Sequence, residues 1–85
     1  MRVRVLYFAA VREQVGTGAE EIEVPVGVST VAGLRDHLRA RGGAWQQALA
    51  EGRLLRMALN QDMVPQSAAI KAGDEVAFFP PVTGG

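Results

Sequence analysis

Hydrophobic and polar residues alternate over RVRVLYF at the start of the chain, and again over EEIEVPV after a turn at Gly16-Thr17-Gly18. A period of two is typical of a β-strand, so both segments are predicted to be strands that pair as a hairpin. AAVREQ, between them, is expected to form a short helical turn. Pro25 indicates a sheet edge or strand end, because proline offers no amide to a strand ladder. On the predicted faces, Val3, Val5 and Tyr7 oppose Arg4, Leu6 and Phe8, and Ile22, Val24 and Val26 share one side.

A helical period replaces the alternation after Ser29 and Thr30, either of which suits an N-cap. Apolar residues at Val31, Leu34 and Leu38 share one helical face, which predicts the main helix of the domain. Gly42-Gly43 is expected to end this helix, since glycine adopts the left-handed conformation common at helix C-termini. The polar positions left for solvent are Arg35, Asp36 and Arg39.

The second half of the chain predicts one more helical turn and three strand segments. AWQQALAEG is expected to form the turn, with Trp45 and Leu49 covering the end of the core. LLRMALNQ predicts a third strand, and Met63-Val64 its hairpin partner after a turn. EVAFF predicts the last strand, which Pro80-Pro81 ends. Its faces carry Val76 and Phe78 on one side and Ala77 and Phe79 on the other, while Leu55, Met57 and Leu59 share a face of the third strand.

This order of elements predicts an α+β fold in which a mixed sheet of four to five strands packs one face on one main helix. The chain has 85 residues and a mass of 9.1 kDa, which is enough for one compact core and too little for two. Residues 1–81 are therefore predicted to form a single domain, and residues 82–85 a flexible C-terminal tail. Phe8 and Phe79 are candidates for the sheet face that the helix leaves open.

Composition narrows the range of partners. Nine Lys and Arg residues balance nine Asp and Glu residues, so the net positive charge that drives nonspecific nucleic-acid binding is missing, and no nucleic-acid partner is expected. No apolar run approaches the roughly 20 residues that span a bilayer. The N-terminus also lacks the apolar core of a signal peptide. We therefore expect a cytoplasmic protein with no membrane partner.

Few side chains are placed for catalysis. The chain has no cysteine and one histidine, His37, so neither a thiol nucleophile nor a metal site is expected. Asp62, Asp74 and Glu75 lie at or near predicted turns, where carboxylates are usually solvated. His37 lies between Leu34 and Leu38 and is interpreted as structural or exposed. No bound cofactor is expected.

The C-terminal segment FFPPVTGG offers a different chemistry. Glycine has no Cβ, so Gly84-Gly85 can pass through an opening too narrow for other residues and present the terminal carboxylate to a distant site. From Pro80 the chain reaches roughly 20 Å at 3.3 Å per residue. An ionised carboxylate is a poor electrophile, so chemistry there needs prior activation, for instance as an acyl-adenylate. The active enzyme would then be a partner.

Four segments, LYFAAVRE, STVAGLRDHL, ALNQ and GDEVAFFPPVTGG, together resemble the small subunits of molybdopterin synthase, a family of ubiquitin-like sulfur carriers. The resemblance spans essentially the whole chain and is most specific in its last segment. It implies the β-grasp fold, which agrees with the order of elements derived above.

The resemblance also implies a mechanism. A ubiquitin-activating-like adenylyltransferase uses ATP to adenylate Gly85, and sulfur transfer converts the adenylate to a thiocarboxylate. Gly84 allows the tail to enter the large subunit of molybdopterin synthase, where the sulfur is delivered to cyclic pyranopterin monophosphate in molybdenum cofactor biosynthesis. The catalytic side chains are implied to lie on the large subunit, in a heterotetramer with two copies of each subunit.

Several residues match positions at which the family contacts its partners. Core packing remains the alternative for Phe8 and Phe79, and a solvated surface role the alternative for Arg12. Three other functions also remain open: a sulfur carrier of another pathway such as thiamine synthesis, a ubiquitin-like protein modifier, and a binding module with an inert tail. The partner-binding residues that the resemblance implies are Phe8, Met63, Phe79, Pro80, Pro81, Val82, Thr83 and Arg12.

Overall fold

The computed structural model describes residues 1–81 of the chain. They form five strands and three helices. No helix within these residues has the length and apolar run required to cross a bilayer. In chain order the elements are β1 (Arg2–Tyr7), α1 (Ala9–Val15), β2 (Ala19–Glu23), α2 (Val31–Arg39), α3 (Gly43–Ala48), β3 (Arg56–Leu59), β4 (Asp62–Val64) and β5 (Glu75–Phe79).

The strands form one mixed sheet in the order β2-β1-β5-β3-β4. β1 and β5 pair in parallel at the centre, and the other neighbours are antiparallel. The predicted α+β fold with a mixed sheet is confirmed, as is the antiparallel pairing of the first two strands. Pro25 follows β2 at one edge of the sheet, where a residue without an N–H interrupts no ladder.

One face of the sheet, the inner face, packs against the helices. The predicted alternation is confirmed there: Val3, Val5 and Tyr7 of β1 and Val76 and Phe78 of β5 are at most 1% exposed. Burying a large apolar side chain contributes about 1.5–3 kcal/mol, so this alternation decides which sheet face remains outside. The helices and their ends contribute the core residues Val11, Val31, Leu34, Leu38, Ala48 and Leu49.

The main helix, α2, begins as predicted. Thr30 is its N-cap, and the Thr30 side chain accepts a 3.0 Å hydrogen bond from the backbone N–H of Gly33. This bond satisfies one of the amides that a helix N-terminus leaves without an intrahelical partner.

The predicted solvent exposure of Arg35 on α2 is wrong, since the residue is only 7% exposed. Its guanidinium donates hydrogen bonds to the carbonyl oxygens of Leu49, Ala50 and Arg53, in the connection from α3 to β3. Carbonyl oxygens beyond a helix end lack intrahelical partners, and burying them unpaired is costly. Arg35 is therefore buried because it satisfies these acceptors.

Two segments near the N-terminus also differ from the prediction. The AAVREQ turn is part of a seven-residue helix, α1, which Gly16 ends with a φ of +82°. Val26 is fully exposed instead of facing the core. The reason is that β2 already ends at Glu23, before Pro25.

The predicted solvation of Asp74 is wrong as well, because the residue is 4% exposed. Its carboxylate accepts hydrogen bonds from Asn60 Nδ2 at 3.0 Å and from the backbone N–H of Lys71 at 2.8 Å. The Asn60 bond, followed by the Lys71 amide, holds the pKa of Asp74 below its usual range. This network joins the β3–β4 turn to the start of β5.

A group of four side chains, the Glu20 cluster (Tyr7, Glu20, Arg41 and Trp45), fixes the end of β1. The Tyr7 hydroxyl donates to Glu20 at 2.9 Å, and Arg41 donates to both Glu20 oxygens at 2.9 and 3.0 Å. Arg41 also lies 4.4 Å from the centre of the Trp45 ring, which meets Tyr7 at a centroid distance of 5.3 Å. Burial raises the pKa of Glu20, but the bonds from Arg41 and Tyr7 outweigh it and keep that pKa below its usual range.

Candidate partner-binding face

The sheet face opposite the helices, the outer face, is apolar along one row of residues. Strand register places Leu6 beside Ala77, Ala77 beside Ala58, and Ala58 beside Met63. Directly opposite residues on neighbouring strands share a face, and neighbouring strands lie about 4.8 Å apart. Met63, which was predicted to bind a partner, lies at the β4 edge and is 57% exposed. The row is an apolar strip across four strands.

Phe8 and Phe79 end the outer face on the side where the chain continues toward its C-terminus. Phe8 follows β1 and is 46% exposed, and Phe79 is the last residue of β5. Their rings meet edge to face, with centroids 6.3 Å apart and planes at 85°. Neither ring belongs to the inner core. The predicted outer-face position of both residues is confirmed, and the alternative of core packing is wrong.

Two alanines make the outer face concave. Ala58 and Ala77 are 8% and 7% exposed, although they lie on the face away from the helices. Larger side chains surround them, including Leu6, Phe8 and Phe79, and the depression has a volume of about 360 Å³. An apolar hollow of this kind suits a side chain of another protein. Alternation along single strands does not predict it, because the hollow depends on which strands are neighbours.

The structure describes the two prolines that lead into the predicted tail. Pro80 and Pro81 continue the chain from Phe79, and both are half-buried. The remaining predicted tail residues, Val82, Thr83, Gly84 and Gly85, lie outside the described residues. Around Phe8 and Phe79 the outer face presents the apolar side chains of Leu6, Ala58 and Ala77, with Gln61 and Glu75 at the margin of the hollow. This mainly apolar surface supports docking of another protein.

Arg12 lies on α1, one turn after Phe8, whose carbonyl oxygen accepts a hydrogen bond from the Arg12 N–H at 3.4 Å. The Arg12 side chain is exposed and crosses Gly18. A Cβ added at Gly18 would lie 3.1 Å from Arg12 Nε, so glycine leaves room for the guanidinium there. Arg12 is therefore close to Phe8 on the β2 side of the sheet, outside the apolar row.

Comparison with known proteins identifies the family. Residues 5–85 match the model of the ThiS family. This chain belongs to that family. The molybdopterin synthase sulfur carrier subunit of Escherichia coli (strain K12) is 51% identical over 83 residues, which cover 98% of this chain and 99% of that protein. The protein of the same name from Haemophilus influenzae is 46% identical over 83 residues, with the same coverage.

Solved structures agree with this assignment. A crystal structure of the small archaeal modifier protein 1 of H. volcanii is similar to this chain with a TM-score of 0.74 and 28% sequence identity. The similarity covers 95% of this chain and 98% of that one. The family membership and the β-grasp fold predicted from the sequence are thus confirmed.

Proposed function

We propose that this chain is the sulfur carrier subunit of a molybdopterin synthase and that the sulfur is carried on the C-terminal carboxyl group of Gly85. The observation that carries the proposal is the full-length similarity to two bacterial proteins of that name. The described geometry supports it, because the outer face ends at Phe8 and Phe79, immediately before the segment that leads to Gly85. A partner docked on this face has the tail beside it.

The chemistry at Gly85 proceeds in two steps on partner enzymes. A carboxylate oxygen of Gly85 attacks the α-phosphate of ATP on an adenylyltransferase, and pyrophosphate leaves. A sulfur donor at the oxidation level of hydrosulfide then attacks the acyl carbon of the adenylate through sulfur, the carbon–oxygen bond to AMP breaks, and a thiocarboxylate remains after loss of a proton. ATP is bound by the adenylyltransferase and not by this chain. We assign the cycle to the cytoplasm, where ATP is available.

Sulfur delivery takes place on the large subunit of the synthase. Gly84 and Gly85 have no Cβ and can enter a narrow channel of the large subunit. The residues before them, Pro80, Pro81, Val82 and Thr83, lie along the approach to that channel. The thiocarboxylate sulfur forms a bond to a carbon of cyclic pyranopterin monophosphate, from which an oxygen substituent leaves. Water then cleaves the acyl carbon–sulfur bond, which leaves the sulfur on the pterin and restores the Gly85 carboxylate. One dithiolene needs two sulfurs, which fits an assembly with two copies of each subunit.

Mass spectrometry of the C-terminal tryptic peptide tests the proposal. Lys71 is the only lysine, and no arginine follows it, so trypsin releases residues 72–85 as a peptide without methionine. This matters because sulfur replacing oxygen changes mass almost as methionine oxidation does. After incubation with ATP, the adenylyltransferase and a sulfur source, the mass of the peptide should rise by the difference between sulfur and oxygen. A chain that lacks Gly85 should fold normally and gain nothing, and a wild-type peptide that stays unchanged would contradict the proposal.

A protein modifier is the second candidate, because the chain resembles small archaeal modifier protein 1 in structure. In that role, lysine amines of other proteins attack the activated Gly85 and form isopeptide bonds. Immunoblots for conjugates of higher mass separate the two candidates. Self-conjugates would require Lys71 or the N-terminal amine, and the latter is held 2.8 Å from Glu23. Lys71→Arg should therefore remove self-conjugates and leave conjugates with other proteins in place.

A further inference from the structure

Arg56 interrupts the apolar outer face next to the base of the tail. Strand register pairs Arg56 of β3 with Phe79 of β5, whose ring contacts Phe8. Arg56 is exposed, whereas the next residue, Met57, is buried in the core. The backbones of Arg56 and Phe79 are one strand spacing apart, about 5 Å. A guanidinium is thus attached immediately beside the residue from which the tail starts.

The other arginines of the outer face have acidic neighbours. Arg4 of β1 is paired in register with Glu21 on one side and Glu75 on the other. Arg2 lies 3.9 Å from Glu21 and from Glu23. These charges are compensated within the sheet, at the end of β1 remote from the tail.

Arg56 differs because Phe79 is its neighbour. No ion pair formed within residues 1–81 includes Arg56, and none includes Arg12. Arg12 crosses Gly18 on the β2 side, whereas Arg56 lies on β3, so the two arginines flank the Phe8–Phe79 pair from opposite sides. Covering the pair with another protein would remove water from both guanidiniums. That step is unfavourable unless the partner supplies carboxylates.

We propose that Arg56 recognises a carboxylate on the protein that receives the tail, which therefore presents an acidic group at the rim of its docking surface. Chain connectivity identifies the occupant. Residues 80–85 reach at most about 20 Å from Phe79, so a protein that binds Gly85 comes within that distance of this end of the outer face, and the Phe8–Phe79 pair is the apolar surface it meets there. The inference rests on the proposed function in taking the large subunit of molybdopterin synthase as that protein.

Association kinetics with the purified large subunit test the inference, using the full chain and the variants Arg56→Glu, Arg56→Lys and Lys71→Glu. Arg56→Glu should slow association about tenfold at low ionic strength, and the difference should shrink as salt is added, since charges at an interface rim act mainly on the association rate. Arg56→Lys keeps the charge and should remain close to wild type. Lys71→Glu makes the same change in charge beyond the opposite end of β5 and should have little effect.

Thermal unfolding of each variant shows whether the fold is intact. Equal association rates for the wild type and Arg56→Glu would overturn the inference and leave the proposed function standing. An equal loss in Lys71→Glu would overturn it too, because the effect would then depend on net charge alone. If the wild-type chain does not bind the large subunit at all, the proposed function and this inference both fail.

Discussion

Phe8 and Phe79 meet edge to face with ring centroids 6.3 Å apart, although one precedes α1 near the N-terminus and the other is the last residue of β5. Aromatic contacts of this kind contribute about 0.5–1.5 kcal/mol beyond the area they bury. Phe79 is followed directly by the prolines at the base of the tail. The two rings thus lie together at the end of β5, next to the base of the tail.

Replacing Phe8 separates docking from folding. We expect Phe8→Ala to weaken binding to the large subunit by about 2 kcal/mol, because aromatic residues that become buried at an interface are common hot spots. The free energy of unfolding should fall by about 1 kcal/mol, since the ring is 46% exposed before docking. Titration calorimetry measures the first quantity and urea denaturation the second. The control is Val26→Ala, because Val26 is an exposed apolar residue beyond β2; this variant should change neither the affinity nor the free energy of unfolding. Unchanged affinity in Phe8→Ala would contradict the docking role of the outer face.

Replacing Arg35 tests the buried guanidinium. Arg35→Met keeps the length of the side chain but removes the guanidinium that donates to the carbonyl oxygens of Leu49, Ala50 and Arg53. The Ala50 oxygen keeps the 2.9 Å bond from the Arg53 N–H, so the loss falls mainly on Leu49 and Arg53. We expect a loss of about 2–4 kcal/mol in the free energy of unfolding. Arg39→Met, on the same helix, removes a partly exposed pair with Asp36 and should cost under about 1 kcal/mol. Urea denaturation followed by the fluorescence of Trp45 measures both, and similar losses would argue against the buried hydrogen bonds.

The periodic pattern predicted the direction of most apolar side chains but not the burial of Arg35 and Asp74. The apolar pattern is local, and each strand or helix shows its buried face by itself. Arg35 is buried because it meets carbonyl oxygens 14 to 18 residues away. Asp74 is buried because the amide of Asn60, 14 residues before it, reaches its carboxylate. Polar contacts between distant segments leave no periodic signal in the sequence.

Part of the candidate site could be predicted from single strands, and part depends on which strands are neighbours. Alternation made Phe8 and Phe79 candidates for the face opposite the core, with core packing as the alternative, because the period of a strand does not reveal which face the helix covers. The apolar row from Leu6 to Met63 depends on strand order and register, which the period of a single strand does not encode. Arg56 was missed for this reason. An arginine at a strand start is ordinary, and only the neighbouring Phe79 makes it distinctive.

We expect Gly16 to contribute to stability only through its backbone conformation. It ends α1 with a φ of +82°, and a Cβ added there would meet no atom within 4 Å. Gly16→Ala should therefore lower the free energy of unfolding by about 1 kcal/mol through left-handed strain. Gly52→Ala is the control, because Gly52 has equally open surroundings and no positive φ. Urea denaturation of both variants decides the matter, and equal stabilities would show that the conformation of Gly16 carries no cost.

Acid should destabilise the fold through Glu20 and Asp74. Both carboxyl groups have lowered pKa values in the folded protein, so the unfolded chain binds their protons more readily. Their stabilisation is therefore complete above the ordinary carboxyl pKa of about 4 and is lost as the pH falls through the lower folded-state values. In urea denaturation at a series of pH values, we expect the free energy of unfolding to decline below about pH 5. Glu20→Gln and Asp74→Asn should each be less stable than wild type at neutral pH and show a shallower decline in acid, whereas an undiminished decline in both variants would mean that other groups control acid unfolding.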